Sequence, residues 1–134
     1  MRIYALKKIK KGIVYILLFE LEGKSLVKIG VTTRSIEERV TEILVEIFSK
    51  YREFPYCKPK RFTKSNDIFG KEKELHELFK EHKYKTSKKF GGYTEFFDVD
   101  VDKVILEYDK IIKKVKRKKP ATKKGVFFSV NKKL

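Results

Sequence analysis

Tyr15, Arg39 and Glu72 are three side chains whose types suit the hydrolysis of a phosphodiester bond. That reaction needs a group that activates the attacking water, a cation on the developing negative charge, and usually a metal ion at the leaving oxygen. A tyrosine, an arginine and a glutamate supply one part each. All three lie in segments with a regular hydrophobic pattern, and regular elements hold reactive groups more accurately than loops do.

Other familiar sites are missing from the sequence. It contains no glycine-rich phosphate loop of the P-loop or dinucleotide-binding kind. His76 and His82 are six residues apart and point to different faces of a helix, so with Cys57 as the single cysteine they make a poor zinc site. No Ser-His-Asp nucleophile pattern stands out. One cysteine also excludes an internal disulfide bond, which fits a reducing compartment.

Each candidate also has an ordinary structural interpretation. Tyr15 lies in an apolar strand and could simply be a core residue. Arg39 could be a solvated helix arginine, although its place at the border of an apolar stripe would let it bury its stem and present its guanidinium at an edge. Glu72 could be a surface carboxylate. Glu74 is its competitor for a metal ion, but Glu74 lies further round the helix from the apolar face.

The first half of the chain predicts a β-hairpin and a helix. Residues 12–20 are β-branched, aromatic-rich and apolar at both alternating sets, which is typical of a strand covered on both faces. A short glycine-containing turn leads to a second strand over 26–31, so the two strands form an antiparallel hairpin. A helix begins at Ser35, where Glu38 completes a capping box. Its apolar stripe contains Ile36, Val40, Ile43, Leu44, Ile47 and Phe48.

Residues 51–67 are predicted to be irregular, because Pro55 and Pro59 forbid a long helix there. Cations alternate with aromatic rings in this segment. One interpretation is a loop that grips nucleic acid, with cations on phosphates and rings on bases. The other is an ordinary exposed connection. The residues concerned are Lys58, Lys60, Arg61 and Lys64, with Tyr56 and Phe62 between them.

The second half predicts two helices and a short strand. A helix over 68–83 can be capped by Asn66 or Asp67, a third strand covers 94–99, and Asp102 can cap a last helix that ends at Pro120. Residues 125–130 could add an edge strand or dock elsewhere. The order β-β-α-α-β-α predicts an α+β fold with a three-stranded antiparallel sheet flanked by helices.

The charge of the chain is concentrated at its C-terminal end. The 134 residues carry a formal net charge of +16, of which residues 110–134 supply +11 and residues 1–109 only +5. We therefore divide the chain into a domain over 1–109 and a basic helix end and tail over 110–134. Nucleic acid is the commonest partner of such a charge excess, although a solubilising tail is the alternative. Its expected DNA contacts are Lys116, Arg117, Lys118 and Lys119.

No apolar run approaches the length of a membrane span, and the first residues lack the uninterrupted apolar stretch of a signal peptide. We therefore expect no membrane partner and a cytoplasmic or nucleoid-associated protein. The basic run over 113–124 resembles a nuclear-import signal or a DNA-binding extension, so the nucleus is an alternative for a eukaryotic or eukaryotic-virus source.

Several short blocks in a fixed order resemble the GIY-YIG nuclease superfamily. Residues 12–15 read GIVY, residues 28–30 read KIG, and Arg39 follows on the helix. The stretch VKIGVTTRSIEERV is similar to a phage-associated branch whose second motif often reads KIG. Residues 72–79 match its E-x-x-L-H-x-x-F segment, and residues 95–97 match its closing E-[WF]-F strand. These blocks span about 12–100, and their order is more specific than any one of them.

The resemblance implies roles for these residues. Tyr15 would help to activate water, Arg39 would contact the scissile phosphate, and Glu72 would be the single carboxylate that holds one Mg²⁺ or Mn²⁺ ion. Gly30 would let the backbone approach closely beside the site. The implied partner is DNA, with RNA as an alternative, and Arg34 is also expected to contact the substrate.

Three positions depart from or extend the superfamily pattern. Lys28 stands where most members have tyrosine; it could bind phosphate as a point charge and take part in catalysis. Ile43 stands where His or Tyr is common, and a hydrophobic side chain can neither move a proton nor bind phosphate. Two interpretations of His76 are open: it substitutes in that role, or it is a structural histidine bonded to a backbone carbonyl. The role of Glu95, in the closing strand, is left open.

Together these observations predict a metal-dependent endonuclease that hydrolyses DNA with low intrinsic sequence specificity. The chain carries no recognisable base-reading module such as a zinc finger or a helix-turn-helix. Two alternatives use the same fold: a nucleic-acid-binding module without catalysis, and a phage or viral interaction protein.

Overall fold

The computed structural model describes residues 11–117, with side chains described up to residue 112. The predicted strand over 125–130, the predicted helix end at Pro120, and the predicted DNA contacts Lys118 and Lys119 lie outside this range. The strands are β1 (Gly12–Leu21), β2 (Lys24–Thr32), β3 (Tyr56–Ser65) and β4 (Phe96–Phe97); the helices are α1 (Ile36–Tyr51), α2 (Ile68–Leu78) and α3 (Val101–Arg117). Short 3-10 helices cover Lys80–His82 and Tyr93–Glu95.

The four strands form one antiparallel sheet in the order β3-β1-β2-β4. The β1–β2 hairpin is confirmed, and its register places Tyr15 opposite Gly30. Its turn has φ of 55° at Glu22 and 76° at Gly23. Two consecutive positive φ angles are typical of the tight hairpin turns whose twist matches that of the strands.

The prediction of three strands and an irregular segment over 51–67 is wrong, because Tyr56–Ser65 forms β3, which pairs with β1 along its length. The two prolines exclude a helix but not a strand of this kind. Pro59 lies at a shift in register between β1 and β3, and prolines in sheets are tolerated at edge strands and at bulges. β3 is such an edge strand, and its side chains are only partly buried or exposed.

The α1 capping box is confirmed: the Glu38 amide donates to the Ser35 hydroxyl, and the Ser35 amide donates to the Glu38 carboxylate. Asp67, one of the two predicted residues, caps α2 by accepting from the Gly70 amide. The helix predicted over 68–83 is shorter, ending at Leu78. The predicted strand over 94–99 is reduced to the two residues of β4.

Asp102 was predicted as the cap of the last helix, and this is wrong. The helix begins at Val101, and the side chain of Asp100 accepts the amide of Asp102. Two aspartates lie in one short stretch, so the sequence alone cannot say which of them precedes the first turn.

The helices cover the two faces of the sheet. One face, here called the α2–α3 face, is apolar and buries residues such as Val14, Ile16 and Ile29 against α2 and α3. The other, the α1 face, buries Tyr15 and Leu17 against α1. Among the residues that the structure describes, no helix is long and apolar enough to span a membrane.

Candidate active site

Tyr15 lies on the α1 face of β1, and its side chain is completely buried. Its ring extends across Gly30 on the neighbouring strand. A Cβ atom at Gly30 would lie only 2.5 Å from the Tyr15 hydroxyl oxygen and 2.7 Å from the carbon that carries it. The glycine is therefore the residue that lets the tyrosine hydroxyl reach across β2.

Arg39 approaches the same hydroxyl from α1. Its Nε atom donates to the Tyr15 hydroxyl oxygen at 3.3 Å, and its Nη1 atom donates to the Glu42 carboxylate at 2.5 Å. Arg39 lies in the turn after the Ser35 cap, so the capping box fixes where this guanidinium enters the site. Its side chain is 23% exposed, which leaves part of the guanidinium in contact with solvent.

The Tyr15 hydroxyl stays protonated at neutral pH. Burial raises the pKa of Tyr15 to about 12, although the hydrogen bond and positive charge of Arg39 act in the opposite direction. The charges of Glu95 and Glu72 also raise the pKa of Tyr15. A neutral hydroxyl can hold and orient a water molecule, but it is not a strong base.

Lys28 lies inside the fold rather than on its surface. The side chain is completely buried, and its Nζ atom donates to Glu95 Oε1 at 2.5 Å and to the Gly92 carbonyl at 3.1 Å. Burial lowers the pKa of Lys28, and the negative charge of Glu95 opposes this. The Phe96 ring centroid is 5.4 Å from Nζ. The amine therefore has protein partners around it.

Glu72 reaches the cluster from α2, on the other side of the sheet. Burial raises its pKa to about 7, assisted by the charge of Glu95 and a hydrogen bond with it and opposed by the charge of Lys28. Glu72 reaches the cluster past the edge of β2 that carries β4. Because β4 pairs only with Val27 and Lys28, the rest of this edge has no strand of residues 11–117 beside it and faces α2.

His76 occupies that edge. Its Nε2 atom lies 2.9 Å from the Ile29 carbonyl oxygen and 3.8 Å from Glu72 Oε2. Since a carbonyl only accepts hydrogen bonds, Nε2 carries the proton and donates. His76 therefore makes the hydrogen bond to a backbone carbonyl that its structural interpretation predicts. This bond joins α2 to β2 one helical turn from Glu72.

Tyr15, Lys28, Arg39, Glu72 and Glu95 thus come together around Gly30, although the chain separates them widely. The sequence profile of the T5orf172 domain matches residues 12–116, which is most of the chain and contains all five. The chain belongs to the T5orf172 domain family. This is a phage-associated domain of the GIY-YIG/HNH-like endonuclease type. No curated protein and no solved structure matches the chain.

Two side chains of the cluster carry oxygen donors of the kind that hard divalent cations prefer. Within residues 11–112, no group of three or more acidic, histidine or cysteine side chains is arranged to hold a metal. Glu72 and Glu95 nevertheless bring two carboxylates close together in a partly buried place. Mg²⁺ is commonly bound through one or two carboxylates and several waters. Burial raises the pKa of Glu72 most, and the charge of Glu95 raises it further; a bound cation would relieve the repulsion between the two carboxylates.

The predicted DNA contacts on β3 divide between the two faces of the sheet. Paired residues share a face, so Lys58, opposite Leu18, and Arg61, opposite Ile16, lie on the face away from Tyr15. The Arg61 guanidinium makes two hydrogen bonds to the Asp109 carboxylate, of 3.0 and 3.1 Å. Lys60 lies at the register shift and is partly buried.

Two other β3 residues share a face with Tyr15, and the remaining predicted contacts lie elsewhere. Phe62 pairs directly with Tyr15, and Lys64 pairs with Ile13. Arg34 is half-exposed and donates to Glu42 at 2.8 Å. Lys116 and Arg117 lie in α3, at positions where the structure describes only the backbone. Glu74, the competitor of Glu72, is exposed and borders a groove between α2 and α3.

The segment 83–92 carries site residues that the sequence analysis missed. Glu22 in the hairpin turn accepts hydrogen bonds from the hydroxyls of Tyr51 (2.5 Å) and Tyr84 (2.7 Å) and from the Ser87 amide (2.8 Å). Burial would raise the pKa of Glu22, but these hydrogen bonds lower it to about 2. The turn therefore anchors the segment at a fixed place beside the sheet.

Gly92 and Glu42 were also missed. Gly92 has φ of 84°, and a Cβ atom there would lie 2.5 Å from Lys28 Nζ. In a sequence, two adjacent glycines such as Gly91 and Gly92 indicate only a break between elements, so nothing in the pattern links Gly92 to Lys28. Glu42 did leave a signal, since it follows Arg39 by three residues on a helix, a spacing at which opposite charges meet.

Proposed function

We propose that this chain is a metal-dependent endonuclease that hydrolyses DNA phosphodiester bonds at the Tyr15–Arg39–Glu72 cluster. The observation that carries the proposal is the contact between the Arg39 guanidinium and the Tyr15 hydroxyl, beside the Glu72–Glu95 carboxylate pair. Phosphodiester hydrolysis requires a cation, a group that holds water and a metal-binding carboxylate beside one reacting phosphate. Arg39, Tyr15 and the Glu72–Glu95 pair would supply these parts.

Each side chain has a role that follows from its environment. The Tyr15 hydroxyl, protonated because its pKa is about 12, would hold and orient the attacking water through its oxygen. Arg39 would place its permanent charge on the phosphate as negative charge develops. Lys28 would hold Glu95 in position rather than contact the substrate itself, because its amine is buried between Glu95 and Gly92.

Glu72, together with Glu95, would hold one Mg²⁺ or Mn²⁺ ion. When bound, such an ion supplies Lewis-acid stabilisation of the developing charge on the phosphate and leaving oxygens. His76 fixes the turn of α2 from which Glu72 reaches the site, through its hydrogen bond to the Ile29 carbonyl. Any nearby water and phosphate oxygens would complete the coordination, since two carboxylates alone do not.

A groove of about 960 Å³ lies at the start of β1, and the substrate strand would lie along it, since Phe62 in its lining pairs with Tyr15. It is lined by Arg34 at the end of β2, by Phe62 and Lys64 on β3, and by Lys71 on α2. Phe62 is 51% exposed, so a base could stack on it while the cations contact phosphates. Contacts of this kind read the backbone and the ring faces, which agrees with low sequence specificity.

Nicking of supercoiled plasmid in Mg²⁺ and in Mn²⁺ tests the proposal. Wild type should cut in at least one of these ions, and Glu72→Ala should reduce cutting by about a hundredfold or more. Glu74→Ala is the matched control, because it removes an exposed glutamate two residues away and should leave cutting unchanged. Cutting that survives Glu72→Ala but not Glu74→Ala would show that the metal ligand is misassigned.

A non-catalytic nucleic-acid-binding module is the second candidate, and one position favours it. Ile43 lies where a His or Tyr is common in the wider superfamily, and it is buried in the core with 1% of its surface exposed. It can contribute nothing to proton transfer. DNA binding without nicking in either metal ion would decide for this second candidate.

A further inference from the structure

Glu42 is a carboxylate to which two arginines donate at the edge of the site. Its Oε1 atom accepts from Arg39 Nη1 at 2.5 Å and from Arg34 Nη2 at 2.8 Å. Arg34 is held in turn at the end of β2, where its backbone amide donates to the Thr32 hydroxyl at 3.0 Å. A chain of contacts therefore runs from the end of β2 through Arg34 and Glu42 to Arg39.

This chain of contacts fixes the orientation of the Arg39 guanidinium. The group is planar, so two hydrogen bonds in different directions fix its orientation. Arg39 has these two bonds, from Nε to the Tyr15 hydroxyl and from Nη1 to Glu42. Its Nη2 atom has no hydrogen-bond partner among residues 11–112. Nη2 lies between Nε–H and Nη1 on the edge of the guanidinium. It is therefore the nitrogen that can donate to a ligand, beside the Tyr15 hydroxyl.

We propose that Glu42 is a positioning residue that orients the Arg39 guanidinium and presents Nη2 to the scissile phosphodiester. This rests on the proposed nuclease function for the identity of the ligand, but the orientation of Arg39 is a property of the protein alone. Glu42 touches neither substrate nor metal in this scheme; it acts through Arg39.

The same contacts predict opposite effects of Glu42 on binding and on cutting. The Glu42 carboxylate neutralises one of the two arginine charges that face an incoming phosphate. Its removal should therefore tighten DNA binding, or leave it unchanged, because more positive charge is exposed to the polyanion. It should at the same time slow cutting, because a misplacement of about 1 Å in a positioning group can cost about a hundredfold in rate.

Single-turnover nicking and DNA affinity in EDTA, measured on Glu42→Ala, test this separation. We expect the rate to fall about ten- to a hundredfold, with affinity equal to or up to about threefold tighter than that of wild type. Glu42→Gln should lose less, since its amide oxygen can still accept from Arg39. Glu53→Ala is the matched control for charge, because Glu53 is also exposed, and it should not slow cutting. A loss of rate equal to that of Glu53→Ala, or one accompanied by weaker binding, would overturn the proposal.

A second measurement does not depend on cutting. The Nε–Hε cross-peak of Arg39, assigned by its disappearance in Arg39→Lys, reports on the order of this guanidinium in ¹H–¹⁵N spectra. In wild type we expect a sharp peak that exchanges slowly with water; in Glu42→Ala the peak should broaden and exchange at least about threefold faster. If wild type binds DNA but does not cut it, the nuclease is refuted while this spectrum still decides the role of Glu42. An unchanged Arg39 peak in Glu42→Ala would refute that role, whether or not the protein cuts DNA.

Discussion

The two faces of the sheet are made by the same strands and differ sharply in what they bury. On the α2–α3 face, β1 contributes Val14 and Ile16 to an apolar core. On the α1 face, the residues between and beside them include Tyr15, and the neighbouring strand adds the charged amine of Lys28. Alternation along β1 thus buries only aliphatic side chains on one face, whereas Tyr15 lies among the apolar side chains of the other.

The difference has an energetic meaning. Burial of aliphatic side chains stabilises by about 25 cal/mol per Å² of apolar surface. Burial of Lys28 and Glu72 instead opposes the charged form of each, as the lowered pKa of the lysine and the raised pKa of the glutamate show. We therefore expect substitutions of the buried aliphatic residues on the α2–α3 face only to destabilise, whereas some substitutions of charged residues in the cluster should stabilise the protein while abolishing its activity.

Lys28→Met should have the largest effect, because it leaves Glu95 as an uncompensated carboxylate beside Glu72. Breaking a buried ion pair from one side costs about 3 kcal/mol or more in the free energy of unfolding. The double variant Lys28→Met/Glu95→Gln should recover most of that loss without recovering nicking. Urea denaturation measures both. If the double variant is no more stable than Lys28→Met, the charges are not the cause.

Ile16→Ala tests the apolar face and should cost about 2–5 kcal/mol, since Ile16 is completely buried. Its loss in urea should come with unchanged single-turnover nicking at temperatures where the variant is folded. Val45→Ala removes an exposed aliphatic side chain from α1 and serves as the control, with an expected change below about 0.5 kcal/mol. A fall in nicking rate by folded Ile16→Ala would show that the two faces are not independent.

Glu72→Gln should abolish nicking and yet stabilise the protein at neutral pH by about 1 kcal/mol, after allowance for solvent screening. In wild type the folded-state pKa of Glu72 is about 7, above its usual 4.5. Its contribution to stability is therefore complete below about pH 4.5 and is lost as pH rises towards 7. Thermal unfolding of both proteins at pH 4.5 and pH 7.5 should show the variant gaining only at the higher pH. An equal difference at both values would contradict the assigned ionisation.

Arg61→Ala should have the smallest effect. Its ion pair with Asp109 is 41% exposed on the arginine side, and exposed pairs contribute about 0–1 kcal/mol. Because Arg61 lies on the face away from Tyr15, nicking should be unchanged. A marked loss of DNA affinity in Arg61→Ala would show that nucleic acid also contacts the α2–α3 side, and would weaken the separation of the two faces.

The sequence predicted the parts of the fold that depend on local signals. The β1–β2 hairpin and the start of α1 follow from alternation, a turn and the Ser35–Glu38 capping box. β3 was missed because two prolines and several lysines hide a strand that lies at an edge, where polar residues and proline are tolerated. β4 lies inside the strand predicted over 94–99, but it is only two residues long because the 3-10 helix over Tyr93–Glu95 takes up the start of that stretch.

The candidate site divides in the same way. Tyr15, Arg39 and Glu72 were singled out by residue type together with the GIY-YIG resemblance, and the structure brings them together. The partner of Lys28 could not be predicted, because Glu95 is 67 positions away and the two meet only through the β2–β4 pairing. A lysine expected to face phosphate is instead enclosed by the 83–92 segment, whose position depends on the hydrogen bonds of Glu22.

β3 lies at one edge of the sheet, with β1 as its only neighbour among residues 11–117. An open edge of this kind offers amide and carbonyl groups to any other extended chain, and so invites aggregation. Lys58, Lys60 and Lys64 are spaced along it, with Pro59 at the irregular point. Lysines and prolines at such an edge keep two molecules from joining their sheets. The side chains predicted to contact DNA therefore also reduce aggregation of the protein at the concentrations that expression and storage require.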